Sequence, residues 1–374
     1  MSERKNSAFD AEMMAIALRM AERGLGATMP NPSVGAVIAN EATGEVLARG
    51  VTARGGRPHA ETGAIAAAGE RARGATIYVT LEPCSHHGRT GPCADAIIAA
   101  GLKRAVVAIE DPDPRVSGRG LDRMRAAGIE VVRGVGAAQA HQITRGHVVR
   151  ITERRPLATL KLALDSSGEI ARGDGVSPVW VTGEMSRAHG MLLRAQFDAI
   201  LVGRATVHDD DPELTCRLPG LLDRSPIRLV LARSLDIPIG AKLIRSAVST
   251  PTWVMTAPES DPAKRTQLAS HGAEVHDVGV VSGELWLPSI MEALVARGVT
   301  RLLVEGGPRI WRAFADASLV DEVILYMAGA PTDDQAMTAI ARHLGPVSLS
   351  FVDRRIMGSD TMWRLLHVTH KEGR

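Results

Sequence analysis

A histidine, a glutamate and two cysteines stand at a spacing that suits a metal site. His59 and Glu61 lie in the segment Pro58-His59-Ala60-Glu61, and eight residues of a polar loop separate Cys84 from Cys93. One imidazole and two thiolates are ligands that Zn²⁺ prefers, and they leave a fourth tetrahedral position for water. The pattern therefore predicts His59, Cys84 and Cys93 as zinc ligands.

Glu61 is the acid–base group that such a zinc site needs for catalysis. Zinc lowers the pKa of its bound water to about 7, and a carboxylate two residues beyond His59, at the predicted start of a helix, can reach that water without binding the metal. The carboxylate can take the proton and pass it to a leaving amine. The pattern favours hydrolytic deamination of an amino-substituted ring.

Two simpler interpretations of the cysteines stay open at this stage. His86 or His87 would supply the fourth ligand of a closed, purely structural zinc site. Alternatively, Cys84 and Cys93 are unrelated buried cysteines, which the neighbouring His-x-Glu pair argues against. The spacing is also unusual, because zinc nucleobase deaminases typically have two residues between the cysteines.

The eight-residue insert and the motifs around it resemble the deaminase domain of the bifunctional riboflavin-biosynthesis family RibD, over about residues 8–150. The matching segments are Asn31-Pro32-Ser33-Val34-Gly35, Pro58-His59-Ala60-Glu61, Thr80-Leu81-Glu82-Pro83-Cys84, the loop from Pro83 to Cys93, and Asp111 to Gly120. The sequence departs from the family pattern at Gly91, where a proline is usual. It departs again at Thr52, where a histidine is usual.

The resemblance implies a role for six residues of this first part. His59, Cys84 and Cys93 would bind zinc, Glu61 would shuttle the proton, and Asn31 and Arg89 would lie near the substrate. The guanidinium of Arg89 suits a phosphate on a phosphoribosylamino group because its planar fork matches phosphate oxygens. A solvated surface arginine is the alternative for Arg89.

The second part of the chain offers weaker signals taken alone. The Val304–Pro308 turn follows a predicted strand, and backbone N–H groups there could bind phosphate, although such a turn is more often only a turn. The acidic loop from Thr206 to Pro212 suits either a helix cap or a ligand site. Lys161 stands among apolar neighbours, where it could face a polar substrate or extend its ammonium to solvent.

The same family's reductase domain resembles this second part and sharpens these signals. The matching segments are Lys161–Gly168, Trp180-Val181-Thr182, Leu192–Ala195, Gly203–Arg217, Val304–Pro308 and Leu319–Glu322. The resemblance implies NADPH as cofactor, bound along Leu164, Trp180, Thr206, Asp210, Gly307 and Pro308. It implies a substrate site formed by Lys161, Ser177, Arg194, Leu214, Arg217 and Glu305. Departures from the family pattern fall at Asp165-Ser166-Ser167-Gly168, Ala232-Arg233 and Ala328–Pro331.

Alternating strands and helices must position these residues, and the length of 374 residues allows two or three domains. Apolar strand patterns end at Gly, Asp and Pro loops, which is where an α/β sheet binds ligands. We place a pyrimidine deaminase domain at residues 1–150 and a reductase domain at 151–374. The resemblance implies an α/β fold class, with a cytidine-deaminase-like three-layer domain followed by a dihydrofolate-reductase-like domain. Residues 329–347 carry no clear signal.

Composition narrows the possible partners. A net charge of +2 and an aromatic content of 3% argue against nucleic-acid binding. No segment approaches the roughly 20 apolar residues of a membrane span, and the charged N-terminal segment predicts a cytoplasmic protein. A small phosphorylated pyrimidine is the expected partner, and the family resemblance implies a homo-oligomer. A deaminase with an inactive reductase-like scaffold and an RNA-editing deaminase are the alternatives.

Overall fold

The computed structural model describes residues 2–88, 91–170 and 180–368, with the backbone alone for residues 2–6. The chain divides into two compact units after Arg155. The division lies five residues beyond the predicted domain end at 150, because the last helix of the first unit runs on to Glu153.

The first unit is a five-stranded sheet between two layers of helices. Its elements are α1 Ser2–Gly24, β1 Gly35–Asn40, β2 Glu45–Val51, α2 Ala60–Ala68, β3 Thr76–Val79, α3 Cys93–Ala99, β4 Arg104–Val107, α4 Arg119–Ala126, β5 Glu130–Arg133 and α5 Ala137–Glu153. The strand order is β2-β1-β3-β4-β5, and β3, β4 and β5 are parallel. Apolar strand residues such as Ile38, Ile77 and Val106 are fully buried because helices cover both faces of the sheet.

The second unit is built on a nine-stranded sheet. Its first elements are β6 Leu157–Leu164, α6 Glu184–Arg194, β7 Ala199–Gly203, α7 Arg204–Asp210, β8 Ile227–Leu231, α8 Lys242–Arg245, β9 Thr252–Thr256, α9 Pro262–Ser270 and β10 Glu274–Asp277. The others are β11 Val280–Val281, β12 Glu284–Leu285, α10 Leu287–Ala296, β13 Arg301–Val304, α11 Pro308–Asp316, β14 Glu322–Ala328, α12 Asp333–Leu344, β15 Leu349–Met357 and β16 Asp360–His367.

The order of strands in this second sheet brings three distant strands side by side. It runs β10-β9-β8-β7-β13-β6-β14-β16-β15, with seven parallel strands followed by an antiparallel hairpin. Strand β13 lies between β6 and β7, although it comes much later in the chain. Loops that leave the carboxyl ends of these three strands therefore meet at one edge, which is the usual ligand position in open α/β sheets.

No helix among the described residues is long and apolar enough to cross a membrane.

Candidate active sites

Two helix N-termini and one strand end bring the predicted zinc ligands together. His59 occupies the cap position before α2, Cys93 is the first residue of α3, and Cys84 follows β3 in the loop between them. The His59 Nδ1 atom lies 3.2 Å from the Cys93 Sγ and 3.8 Å from the Cys84 Sγ. The positive ends of two helix dipoles thus surround the two sulfur atoms, which favours thiolates.

Hydrogen bonds hold negative charge on Cys84. The Cys93 thiol and the His59 imidazole bond to its sulfur, and the Cys93 backbone N–H donates to it at 3.3 Å, so the pKa of Cys84 falls to about 4. The bond with Cys84 and burial both raise the pKa of the Cys93 thiol. Without a metal, the two sulfur atoms therefore share one proton, and a cation between them would displace it.

The donor set fits Zn²⁺. The three ligand atoms all lie within 4.8 Å of one another, and tetrahedral zinc with ordinary bond lengths would place its N and S ligands about 3.5 Å apart. Across the part of the chain that the structure describes, neither His86 nor His87 joins this cluster. A site with three protein ligands favours a catalytic metal over a closed structural one.

Glu61 lies in the first turn of α2 beside these ligands and is only 3% exposed. Burial raises the pKa of its carboxyl group to about 7, although the nearby His59 opposes the shift. The carboxylate is also within hydrogen-bonding reach of the Cys93 thiol. A carboxyl group with such a pKa can both accept and donate a proton at neutral pH.

Asn31 contacts the other side of the imidazole. Its Nδ2 lies 3.3 Å from the His59 Nε2 and donates to the Gly56 carbonyl at 2.8 Å. The loop that carries Asn31 is fixed by Thr28, whose hydroxyl donates to the Asn31 carbonyl. A group that holds the outer nitrogen of a ligand histidine fixes the direction of its inner nitrogen. Asn31 is therefore placed both to orient His59 and to border the metal site.

Two residues among the sequence motifs have structural tasks that their pattern did not reveal. The buried Glu82 accepts backbone N–H groups of Asp111, Gly118 and Gly120 at 3.2, 2.9 and 2.9 Å. It thereby ties the 111–120 loop to the residues just before Cys84. The Thr52 hydroxyl, buried between β1 and β2, accepts the Val34 N–H at 3.0 Å. An acidic residue directly before Pro-Cys was the only signal for Glu82.

In the second unit, strand register brings Lys161, Arg194 and Glu305 together. Val304 pairs with Leu160, so Glu305 lies beside Lys161 at the end of the shared ladder. The Arg194 guanidinium donates to both Glu305 oxygens, at 3.0 and 2.8 Å. Although burial alone would raise the pKa of Glu305, Arg194 and Lys161 lower it to about 2. Burial lowers the pKa of Lys161.

A tyrosine and a histidine that no sequence motif indicates border this cluster. The Lys161 ammonium lies 5.8 Å from the centre of the Tyr326 ring. The buried Tyr326 hydroxyl shares a 2.5 Å hydrogen bond with the His189 Nδ1. The two residues are 137 positions apart in the chain, and only the folded sheet and α6 bring them into contact.

The predicted cofactor residues lie at the carboxyl edge of the sheet or close to it. Leu164 is the buried last residue of β6, and after β13 Gly307 caps α11 and Pro308 begins it. Thr206 and Asp210 lie on α7, directly after β7. Trp180 is 61% exposed, with the Arg187 guanidinium 5.2 Å from its ring centre.

The remaining predicted substrate residues differ in their surroundings. Leu214 packs into the apolar core at 2% exposure and has a positive φ of 54°. Arg217 is exposed and pairs with Glu213 at 3.1 Å, yet its charge contributes to the low pKa of Glu305. Arg89 and Ser177 lie outside the described residues.

Each of the two units matches a family of known proteins. Residues 7–109 match the family model of the cytidine and deoxycytidylate deaminase zinc-binding region, and residues 158–332 match the RibD C-terminal domain. The riboflavin biosynthesis protein RibD of Aquifex aeolicus is 40% identical over 319 residues, which cover 85% of this chain and 86% of that protein.

Solved structures agree over almost the whole chain. RibD of Acinetobacter baumannii matches with a TM-score of 0.82 at 30% identity, covering 97% of this chain and all of that one. A Thermotoga maritima protein described as a diaminohydroxyphosphoribosylaminopyrimidine deaminase/5-amino-6-(5-phosphoribosylamino)uracil reductase matches with a TM-score of 0.81 at 31% identity and the same coverage.

These matches confirm the predicted fold class, the enzymatic nature of the chain, and zinc and NADPH as its cofactors. They give no support to the inactive-scaffold or RNA-editing alternatives. The assignment to this family rests on sequence identity that extends over most of both chains and is not confined to one shared domain. The chain belongs to the RibD family of riboflavin-biosynthesis proteins, as a bifunctional deaminase and reductase.

Proposed function

We propose that the first unit deaminates 2,5-diamino-6-(5-phosphoribosylamino)pyrimidin-4-one. We propose that the second unit reduces the ribosyl group of the product to ribityl with NADPH. The observation that carries the proposal is the buried Glu61 carboxyl beside an imidazole and two cysteine sulfurs. The deaminated pyrimidine is then the substrate of the Lys161, Arg194 and Glu305 cluster.

In the deaminase site, His59, Cys84 and Cys93 would hold Zn²⁺, which would supply an activated water at neutral pH. Glu61 accepts a proton at its carboxylate and delivers it to the leaving amino group. Burial supports this role because it brings the pKa of Glu61 close to neutrality. Asn31 orients His59 and faces the substrate. Arg89, whose side chain lies outside the described residues, binds the substrate phosphate.

In the reductase site, NADPH supplies a hydride and the protein supplies position and charge. Leu164, Trp180, Thr206, Asp210, Gly307 and Pro308 would hold the cofactor. Lys161, Arg194 and Glu305 would hold the ribosyl group for hydride transfer, and Ser177 and Arg217 would complete the substrate site, whereas the Leu214 side chain is buried in the core. Glu305 stays ionised at neutral pH because Arg194 and Lys161 stabilise its negative charge, so it can accept hydrogen bonds from ribose hydroxyls.

A two-step assay on the purified chain tests this proposal. Ammonia release from the diaminopyrimidine measures the first activity, and NADPH oxidation with the separately prepared deaminated intermediate measures the second. We expect both activities and about one zinc ion per chain. Ammonia release without NADPH oxidation would instead support the scaffold alternative for the second unit.

The partners and location form a further part of the proposal. We expect a cytoplasmic enzyme that binds small phosphorylated pyrimidines and no nucleic acid or membrane. We expect it to form a homo-oligomer. Strand β15 at the edge of the large sheet supports oligomerisation, because it exposes Phe351, Val352 and Ile356. Light scattering on the purified chain would measure its mass in solution.

A further inference from the structure

The last turn of α12 binds the turn that follows β6 through hydrogen bonds and an ion pair. The Arg342 guanidinium donates to the Ser167 carbonyl at 3.2 Å and forms an ion pair with Glu169. The His343 Nε2 donates a hydrogen bond to the Gly168 carbonyl at 2.9 Å. Two adjacent side chains of one helix thus hold three consecutive residues of the turn.

The turn itself, from Asp165 to Glu169, is shaped to receive this helix. The Asp165 carboxylate accepts the backbone N–H groups of Ser167 and Glu169 at 2.8 and 2.9 Å. Gly168 has a φ of 83°, and a Cβ there would lie 2.9 Å from the Ala339 Cβ of α12. Glycine is therefore required both by the backbone conformation and by the close approach of the helix.

His343 also contacts a second element of the cofactor edge. Its ring packs edge-on against Trp311 of α11, with the ring centres 6.0 Å apart. Helix α11 begins at the Gly307 turn, and the turn at Asp165 directly follows Leu164. These two loops leave neighbouring strands, since β13 pairs with β6. One imidazole therefore joins the Asp165–Glu169 turn to the helix that follows the Gly307 turn.

We infer that Arg342 and His343 are positioning residues for NADPH. They hold the Asp165–Glu169 turn in place before the cofactor arrives, and His343 fixes that turn relative to α11. A loop that is already ordered loses less conformational freedom on binding, so affinity rises without any new contact to the ligand. This inference rests on the proposed placement of NADPH at Leu164 and Gly307.

Direct NADPH binding to the full chain tests the inference, with NADPH fluorescence as the readout. We expect Arg342→Ala and His343→Ala each to raise the Kd for NADPH about three- to tenfold, the range that loss of one or two ordinary hydrogen bonds gives. The KM for NADPH should rise in parallel, while kcat at saturating NADPH stays within about twofold. Deamination by the same preparations should be unchanged. Thr338→Ala is the matched control, because its exposed hydroxyl donates to the Asp334 carbonyl of its own helix.

The outcomes separate this inference from the proposed function. If the unaltered chain binds no NADPH, the proposed cofactor site itself is wrong. If the unaltered chain binds NADPH and both alanine variants bind it equally well, the positioning role is overturned. Should an alanine variant fail to fold, Arg342→Lys and His343→Gln decide the matter. Each variant keeps a hydrogen-bond donor but loses part of the contact with the turn. Unchanged NADPH affinity in both variants contradicts the inference.

Discussion

Glu61 shows how one position in a helix can be given an acid–base role. It stands two residues after a metal-ligand histidine, where the first turn of α2 buries its carboxyl group against the cysteine ligands. An exposed glutamate would titrate near 4.5 and would remain a poor proton donor at pH 7. Burial moves the pKa of Glu61 to about 7, and a bound cation would lower it again by favouring the carboxylate.

Replacement of this carboxyl group should therefore abolish deamination selectively. We expect Glu61→Gln to reduce the deamination rate by about 10²–10⁴-fold, the usual contribution of a general acid–base group. Zinc content and NADPH-dependent reduction of the deaminated intermediate should be unchanged. Glu70→Gln, at an exposed position of the same unit, serves as the control. Full deamination by Glu61→Gln would contradict the acid–base role of Glu61.

Glu305 illustrates the opposite shift of a carboxyl pKa. Arg194 and Lys161 outweigh the effect of burial and lower the pKa of Glu305 to about 2. Since the folded value lies below the ordinary value near 4.5, the ionised group stabilises the fold above pH 4.5. That contribution is lost as the pH falls from 4.5 towards 2.

Glu305→Gln should consequently destabilise the second unit most at neutral pH. Removing one partner of a buried ion pair typically costs about 3–5 kcal/mol, so the free energy of unfolding should fall by that order at pH 7. The difference between variant and unaltered chain should shrink below pH 4.5. Urea unfolding of both proteins from pH 7 to pH 3.5 measures it. A difference that is independent of pH would show that the Glu305 charge does not stabilise the fold.

At the residue scale, the sequence could reveal groups whose chemistry depends on local spacing. His59, Glu61, Cys84 and Cys93 form a pattern that is visible in the chain. Glu82 could not be assigned in the same way, because its partners are backbone N–H groups, which leave no trace in a sequence. The contact between His189 and Tyr326 depends on strand register across 137 positions.

At the element scale, α12 is the clearest omission of the sequence analysis. Its segment gave no clear signal, yet Thr332 and Gln335 form a capping box and Gly345 ends the helix. Two of its four buried residues are the alanines Ala336 and Ala339, so only Ile340 and Leu344 mark the helical period with large apolar side chains. The terminal signals were stronger than the periodicity, and they would have located the helix.

The packing of α2 on β2 sets the position of the catalytic helix. A Cβ on Gly50 would lie 2.1 Å from the Ala60 carbonyl oxygen, whereas a Cβ on Gly63 of α2 would meet nothing within 4 Å. The first contact involves backbone, so it cannot be relieved by a side-chain rotation. The helix that carries Glu61 would have to move away from the sheet.

Gly50→Ala and Gly63→Ala therefore form a matched pair. We expect Gly50→Ala to lower the free energy of unfolding of the first unit by about 1–3 kcal/mol, as overpacking does, and to reduce deamination. Gly63→Ala should be neutral or stabilising by up to about 1 kcal/mol because alanine favours a helix. Thermal unfolding and ammonia release measure both effects. Equal behaviour of the two variants would show that α2 tolerates displacement from β2.

At the scale of the whole molecule, the sequence indicated two units, and the structure divides the chain after Arg155. The sequence places a boundary near this point because Pro156 cannot continue a helix and Leu157 begins a new apolar strand. The sequence does not reveal that β13 lies between β6 and β7, because strand order depends on contacts between residues that are far apart in the chain. That order is what creates the reductase edge from three distant segments.

Because the two activities use separate sheets and separate cofactors, we expect metal removal to affect deamination alone. The described ligand cluster for zinc lies wholly in the first unit, whereas Lys161, Arg194 and Glu305 need no metal to hold their charges in place. We expect dialysis of the intact chain against dipicolinate to abolish ammonia release and to leave NADPH oxidation with the deaminated intermediate within about twofold of its starting rate. Added Zn²⁺ should restore ammonia release, since Cys84 remains poised as a thiolate. Parallel loss and recovery of both activities would show instead that the reductase site depends on the metal-bound state of the deaminase unit.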